Sequence, residues 1–159
     1  MNKPKAEAAS IKLIAAHKKA RFDYHIIETV EAGIVLTGAE IKSVRLGGIS
    51  IAESYVAPGA DSLYLLNAHI KPYAFSGAKE YDPIRRRKLL LKKSEIERLR
   101  GRVEKAGLTM VPLQVYLKNG YAKVEIALAK GKSAPDKRET QRGKDAAREI
   151  ARAMKGQRG

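Results

Sequence analysis

The chain contains no cysteine. Disulfides, thiolate zinc sites and a cysteine nucleophile are therefore excluded. Histidine is scarce, three in 159 residues. His17, His25 and His69 stand apart, none with a second ligand at a spacing such as H-x-x-x-H. Glycine-rich phosphate loops of the G-x-x-x-x-G-K-[ST] or G-x-G-x-x-G type do not occur. No apolar run approaches the ~18–20 residues that cross a bilayer. Residues 1–9 are charged and lack the apolar stretch of a signal peptide. These absences give the expectation of a soluble cytoplasmic protein with no cofactor, no metal, no membrane partner and no small-molecule substrate.

Acidic residues are the minority, 17 against 32 Lys and Arg, for a net charge of +15. The excess is clustered. Residues 1–22 hold six basic residues to one acid, 85–105 hold ten to three, and 131–159 hold nine to four. The remainder of the middle is slightly acidic. This reads as a near-neutral core with a basic arm (1–22), an internal basic patch, and a basic tail (131–159). Clustered positive charge of this size predicts a polyanionic partner, with nucleic acid favoured. The tail has too few large apolar residues to insert into a membrane surface.

One domain fits the length, and 23–130 is its expected extent. Segments 24–29 and 33–37 are rich in β-branched residues and read as strands. Thr37-Gly38-Ala39-Glu40 has the form of a capping box, so a short helix should follow. Ile41 and Val44 should then face inward and Lys42 and Arg45 outward. Gly47-Gly48 should end it. Segments 49–57 and 62–68 read as strands around a turn at 58–61. Segment 74–86 reads as an exposed loop. Ser94-Glu95-Ile96-Glu97 has a second capping-box pattern, followed by Ile96, Leu99 and Val103 at helical spacing and Gly107 as the stop.

Segments 111–118 and 121–130 flank Asn119-Gly120, the favoured type I′ pair, and predict a hairpin. The two-residue turn would set Leu117 opposite Ala122, Val115 opposite Val124, Leu113 opposite Ile126 and Val111 opposite Leu128. Pro112 has no amide donor and favours an edge or a bulge. With no βαβ rhythm, the expected fold is mainly β: a small closed or half-closed antiparallel barrel of about six strands with two helices interspersed. Residues 136–155 are helix-permissive but nearly devoid of large apolar side chains. The tail is expected to be disordered alone and helical when docked.

Candidate chemistry is sparse. Glu28 and Glu31 could pair for acid–base work, which keeps a nuclease reading open, but no His, Lys or metal motif joins them. Glu31 could equally accept hydrogen bonds from a base edge or a 2′-hydroxyl. Tyr116 and Lys123 share the polar hairpin face, where a ring could stack on a base beside a phosphate-binding ammonium. In Lys88-Leu89-Leu90-Leu91, alternation puts Leu89 and Leu91 on one face and leaves Leu90 on the other. An exposed Leu90 would be a packing contact for bases.

Several ordered motifs resemble the SmpB family of SsrA-binding proteins. They begin with Lys18-Lys19-Ala20-Arg21-x-Asp23-Tyr24, then Glu31-Ala32-Gly33-Ile34-Val35-Leu36-Thr37-Gly38. Glu40-x-Lys42-Ser43-x-Arg45-x-Gly47 and Asp82-Pro83-x-Arg85-x-Arg87-Lys88-Leu89-Leu90-Leu91 follow. Lys118-Asn119-Gly120, the run from Lys123 to Lys132, and Asp136-Lys137-Arg138-Glu139-Thr140 complete the set.

The resemblance implies a non-enzymatic RNA-binding factor of bacterial translation. Such a factor binds the tRNA-like domain of transfer-messenger RNA and brings it to stalled ribosomes for trans-translation. It also implies an OB-like barrel and a tail that enters the decoding centre and messenger channel of the small subunit. The RNA-contacting positions implied are Glu31, Leu90 and Lys123, and the first motif adds Lys18, Lys19, Arg21 and Phe22 as candidates; Tyr116 remains the candidate read from the hairpin face itself. The implied ribosome-engaging positions are Asp136, Lys137, Arg138, Met154 and Lys155. Phe22 and Pro135 stand where many relatives have His, or His or Tyr, and a tail aromatic is replaced near Ala146. A basic ribosomal or other OB-type translation protein, binding structured RNA, is the alternative that the charge pattern also allows.

Overall fold

The computed structural model describes residues 10–74 and 81–156. Part of the basic arm, part of the expected loop over 74–86 and the end of the tail lie outside these residues, as does the side chain of Lys155. The elements in chain order are β1 (Ile11–Ala16), α1 (Ala20–Asp23), β2 (Tyr24–Ile34), α2 (Gly38–Arg45), β3 (Ile49–Ser50), β4 (Tyr55–Pro58) and β5 (Leu63–Leu66). They continue with β6 (His69–Ile70), β7 (Arg87–Leu90), α3 (Lys93–Ala106), β8 (Thr109–Lys118), β9 (Tyr121–Gly131) and α4 (Ala134–Gly156).

Six strands close a ring in the order β8-β4-β5-β7-β2-β9, with β9 pairing back to β8, all antiparallel. This is the expected antiparallel barrel. Closure depends on the length of β8, which shares one edge between two partners. Met110 pairs with Val56 of β4, while 114–118 pair with β1, a strand outside the ring. Residues 11–16, read from sequence as part of a basic arm, are therefore a strand of the sheet. β3 and β6 form a separate two-stranded pair.

Inside the ring, Val56, Leu65, Leu89, Leu99, Met110, Val124, Ile126 and Leu128 make the main core. A second cluster, Ala20, Val111, Leu113, Ala127 and Ala129, lies on the other face of the β8–β9 ribbon. The small side chains at 127 and 129 leave room there for Ala20 of α1. This explains why the run 126–129 is buried on both faces.

The hairpin forms with Asn119 at φ 51° and Gly120 at φ 83°, the left-handed pair that a type I′ turn needs. Leu117↔Ala122 and Val115↔Val124 pair as expected. Beyond them the register shifts between Pro112 and Gln114, so Pro112 rather than Leu113 faces Ile126, and Met110 rather than Val111 faces Leu128. A bulge beside Pro112 leaves Leu113 as an extra, unpaired residue of β8, and it swings Val111 and Leu113 into the second cluster.

Other local expectations resolve similarly. β2 is one continuous strand where two were expected, and 49–57 splits into β3 and β4 around a turn closed by Ser54 Oγ donating to Ile51 O at 2.7 Å. Helix α2 has the full capping box: Glu40 N donates to Thr37 Oγ1 at 3.2 Å and Thr37 N donates to Glu40 Oε1 at 2.9 Å. The second box does not form. Helix α3 is already under way at Lys93, with extended Lys92 as its cap, so Ser94 lies inside the first turn. Gly107, at φ 61°, ends α3.

Candidate nucleic-acid interface

Gly33 is the centre of the clearest surface feature. β7 places Leu90 opposite Gly33 on one side, and β9 places Lys123 opposite it on the other. Alternation buries Leu89 completely and leaves Leu90 53 % exposed, as the sequence pattern predicts. A Cβ on residue 33 would stand 3.2 Å from Leu90 Cβ, so glycine lets Leu90 lie against the β2 backbone. Leu90 and Lys123 line one groove of about 520 Å³, floored by Gly33 and walled by Ile41 and Arg45 of α2 and by Tyr121 after the hairpin turn.

Sequence reasoning named Leu90 and Lys123 and missed the walls. In sequence, Arg45 is an outward residue of α2 and a member of the Glu40–Gly47 motif, with nothing to place it beside Leu90 and Lys123. The signal for Tyr121 was an aromatic set directly after a polar turn.

Glu31 lies two residues before Gly33 on the same strand, hence on the same face. It accepts a hydrogen bond from the Tyr116 hydroxyl, and Lys118 Nζ lies 3.4 Å from both of its oxygens. The Tyr116 hydrogen bond lowers the Glu31 pKa most; burial opposes it, and Lys118 and Lys123 lower it further. The carboxylate is therefore held ionised.

Tyr116 itself requires a correction. It is only 6 % exposed, and its register partners are Leu13 of β1 on one side and Lys123 of β9 on the other. Its ring is covered, so it is no stacking platform. Burial, with Glu31 as hydrogen-bond acceptor and neighbouring charge, pushes its pKa up.

Glu28 is engaged separately. Arg98 Nη1 of α3 lies 2.5 Å from its Oε1 and Arg102 Nη1 lies 3.4 Å away. The two glutamates thus serve different cations, and among the described residues no group of three or more His, Asp or Glu converges as metal ligands would.

The internal basic patch is smaller than its sequence suggests. Arg87 is fully buried and holds Glu40, itself 1 % exposed, at 2.6 Å. Its Nη1 also donates to Ala68 O at 2.7 Å. Arg85 Nη2 reaches the other oxygen of Glu40 at 2.5 Å. These two arginines are spent on the fold. Satisfied on both sides in this way, the buried pair escapes the cost of an unpaired buried charge.

The first-motif residues gather at the opposite end of β2. Tyr24 and Gly33 are nine positions apart along that strand, or roughly 30 Å at strand rise. Lys18, Lys19 and Arg21 are exposed around α1, and Phe22 is half-buried beneath Lys144 of α4, with Nζ 5.5 Å from the ring centroid. The tail base joins them. Lys137 Nζ lies 3.4 Å from Asp23 Oδ1, and Asp136 Oδ2 lies 3.4 Å from His25 Nε2. Hydrogen bonds from Ser133 and then His25 lower the Asp136 pKa.

Ser133 and Asp136 also exchange hydrogen bonds at the start of α4. Pro135 falls in that first turn, where a missing amide donor costs nothing. Arg138 is exposed, and so is Met154, at 63 %. The structure therefore sorts the sequence-derived positions into two patches: Glu31, Leu90 and Lys123 at one end of β2, and Lys18, Lys19, Arg21 and Phe22 beside Asp136 and Lys137 at the other.

Comparison with known proteins matches this chain, over residues 14–156, to the family described as "SmpB protein". An SsrA-binding protein of Agrobacterium fabrum is 50 % identical over 146 residues, covering 91 % of each chain. One from Enterococcus faecalis is 49 % identical over 155 residues, covering 98 % of this chain and 99 % of its own. A solved structure described as "tmRNA-SmpB: a journey to the center of the bacterial ribosome" contains a chain 47 % identical, with a TM-score of 0.63 over 80 % of this chain and 93 % of that one.

Proposed function

The chain belongs to the SmpB protein family, and we infer from that membership that it binds transfer-messenger RNA and delivers it to stalled ribosomes for trans-translation. One observation carries this reading: the family match runs from residue 14 to residue 156, so it spans barrel and tail together. The chain is an RNA-binding factor. In our reading it performs no chemistry of its own and works in the cytoplasm; no described helix is long and apolar enough to cross a membrane.

We propose that the groove at Gly33 holds part of the tRNA-like domain. Leu90 offers an apolar surface to a base. Lys123 neutralises a phosphate. Glu31, kept ionised by Tyr116 and Lys118, accepts hydrogen bonds from an amino edge or a 2′-hydroxyl. At the far end, Lys18, Lys19, Arg21 and Phe22 form a second contact zone. Asp136, Lys137, Arg138, Met154 and Lys155 are the proposed ribosome-engaging residues of the tail, which enters the decoding centre and messenger channel. Asp136 and Lys137 must first exchange their contacts with His25 and Asp23.

The test is the salt dependence of binding to the isolated tRNA-like domain. If ~5–8 phosphates are neutralised, log K falls with log salt at a slope of about −0.9 per phosphate in duplex, less in single strands. Lys123→Glu should weaken binding and flatten the slope while leaving the melting temperature unchanged. A slope near zero, or full affinity in that folded variant, contradicts the reading.

A further inference from the structure

We propose that Tyr121 is the base-stacking residue of the Gly33 groove, holding one unpaired RNA base against its ring while Arg45 and Lys123 hold the flanking phosphates. The assignment rests on the groove being the RNA site and adds the residue that grips a base. Tyr121 is the most exposed aromatic among the described residues, at 73 %, whereas Tyr116 is closed off at 6 %.

Nothing among the described residues hydrogen-bonds the Tyr121 hydroxyl, and its ring borders the same groove as Leu90 and Lys123. In β9, Tyr121 and Lys123 are two apart and share the outer face, while Ala122 and Val124 point inward. Their spacing along the strand is roughly 7 Å, the reach from a nucleotide's base to its own phosphate.

The ring is also pre-positioned. Asn119 and Gly120 both hold the left-handed conformation of a tight turn. Arg45 Nη2 donates to Gly120 O at 3.4 Å, tying the turn to α2. An aromatic on a rigid mount binds a base with little ordering cost. The neighbouring cations favour a nucleotide over a neutral apolar ligand. A stacked duplex offers no free base face, so the ligand is an unstacked base in a loop.

The sequence has no tryptophan, so Tyr121→Trp places the chain's sole tryptophan in the groove, and red-edge excitation reads it apart from the tyrosines. On titration with the isolated tRNA-like domain, its emission should be quenched as the base stacks. Tyr121→Phe should bind within about twofold of wild type. Tyr121→Ala and Tyr121→Leu should both lose about 5- to 150-fold, the range for stacking one base on an aromatic ring. Thermal melts of each variant establish that it is folded.

Unquenched emission with wild-type affinity in Tyr121→Ala overturns the assignment. Rescue by Leu overturns it too, since apolar area alone would then suffice. Failure of the wild-type chain to bind this RNA instead overturns the parent reading, and the assignment with it.

Discussion

The Tyr116 hydroxyl donates its hydrogen to Oε2 of Glu31, across 85 residues of sequence, and joins β8 to β2 on the face that carries Gly33 and Lys123. A ring that looks like a docking platform in the sequence thus orients a carboxylate. This contact is the main cause that lowers the Glu31 pKa, while burial first and then the same contact raise that of Tyr116.

Removing that hydroxyl should be felt at both ends of the pH scale. A carboxylate with a lowered folded pKa adds stability above its unfolded value, about 4.3, and loses it as pH falls through the folded pKa. A phenol with a raised folded pKa adds stability below about 10 and loses it as pH rises. Tyr116→Phe should therefore be less stable than wild type by about 1 kcal/mol at neutral pH. The gap should narrow near pH 3 and again above pH 10. Urea denaturation across this range checks it; a gap independent of pH would mean that the hydrogen bond is not the coupling.

The buried pair of Glu40 and Arg87 makes a different prediction. Both side chains are essentially dry, and Glu40 also completes the cap of α2. Glu40→Ala should cost about 3–5 kcal/mol, because Arg87 would keep its buried charge with no anion to balance it. Replacing both residues with apolar side chains of similar volume should recover much of that loss. A double variant no more stable than the single one would show that packing, rather than the stranded charge, sets the cost.

The tail prediction separates the two proposed activities. A chain lacking 136–159 should keep its affinity for the tRNA-like domain and lose tagging on stalled ribosomes. Filter binding and a reconstituted tagging assay measure the two. A large loss of RNA affinity would place the tail inside the RNA site, on the side where Lys144 covers Phe22.

The features legible in sequence are the local ones. The Thr37–Glu40 cap, the Asn119-Gly120 turn, and the alternation that buries Leu89 and exposes Leu90 depend on neighbours a few residues apart. The features missed are set by ring closure. Tyr116 is buried because β1, about a hundred residues earlier, pairs onto β8 and because Glu31 arrives from β2. Arg87 reads as one more surface cation until Glu40 meets it inside the barrel. The bulge was foreshadowed by Pro112, but its position after that proline, and so the face given to Val111 and Leu113, depends on the cluster under α1. Arg45 and Tyr121 come together only when the hairpin turn folds against α2.

The central claim is the identity of the RNA. Its most direct test is to purify the chain from bacterial lysate at moderate salt and sequence the RNA that stays bound. The account predicts one dominant species, transfer-messenger RNA. A broad mixture dominated by ribosomal RNA would contradict it and mark the chain as a general binder of structured RNA.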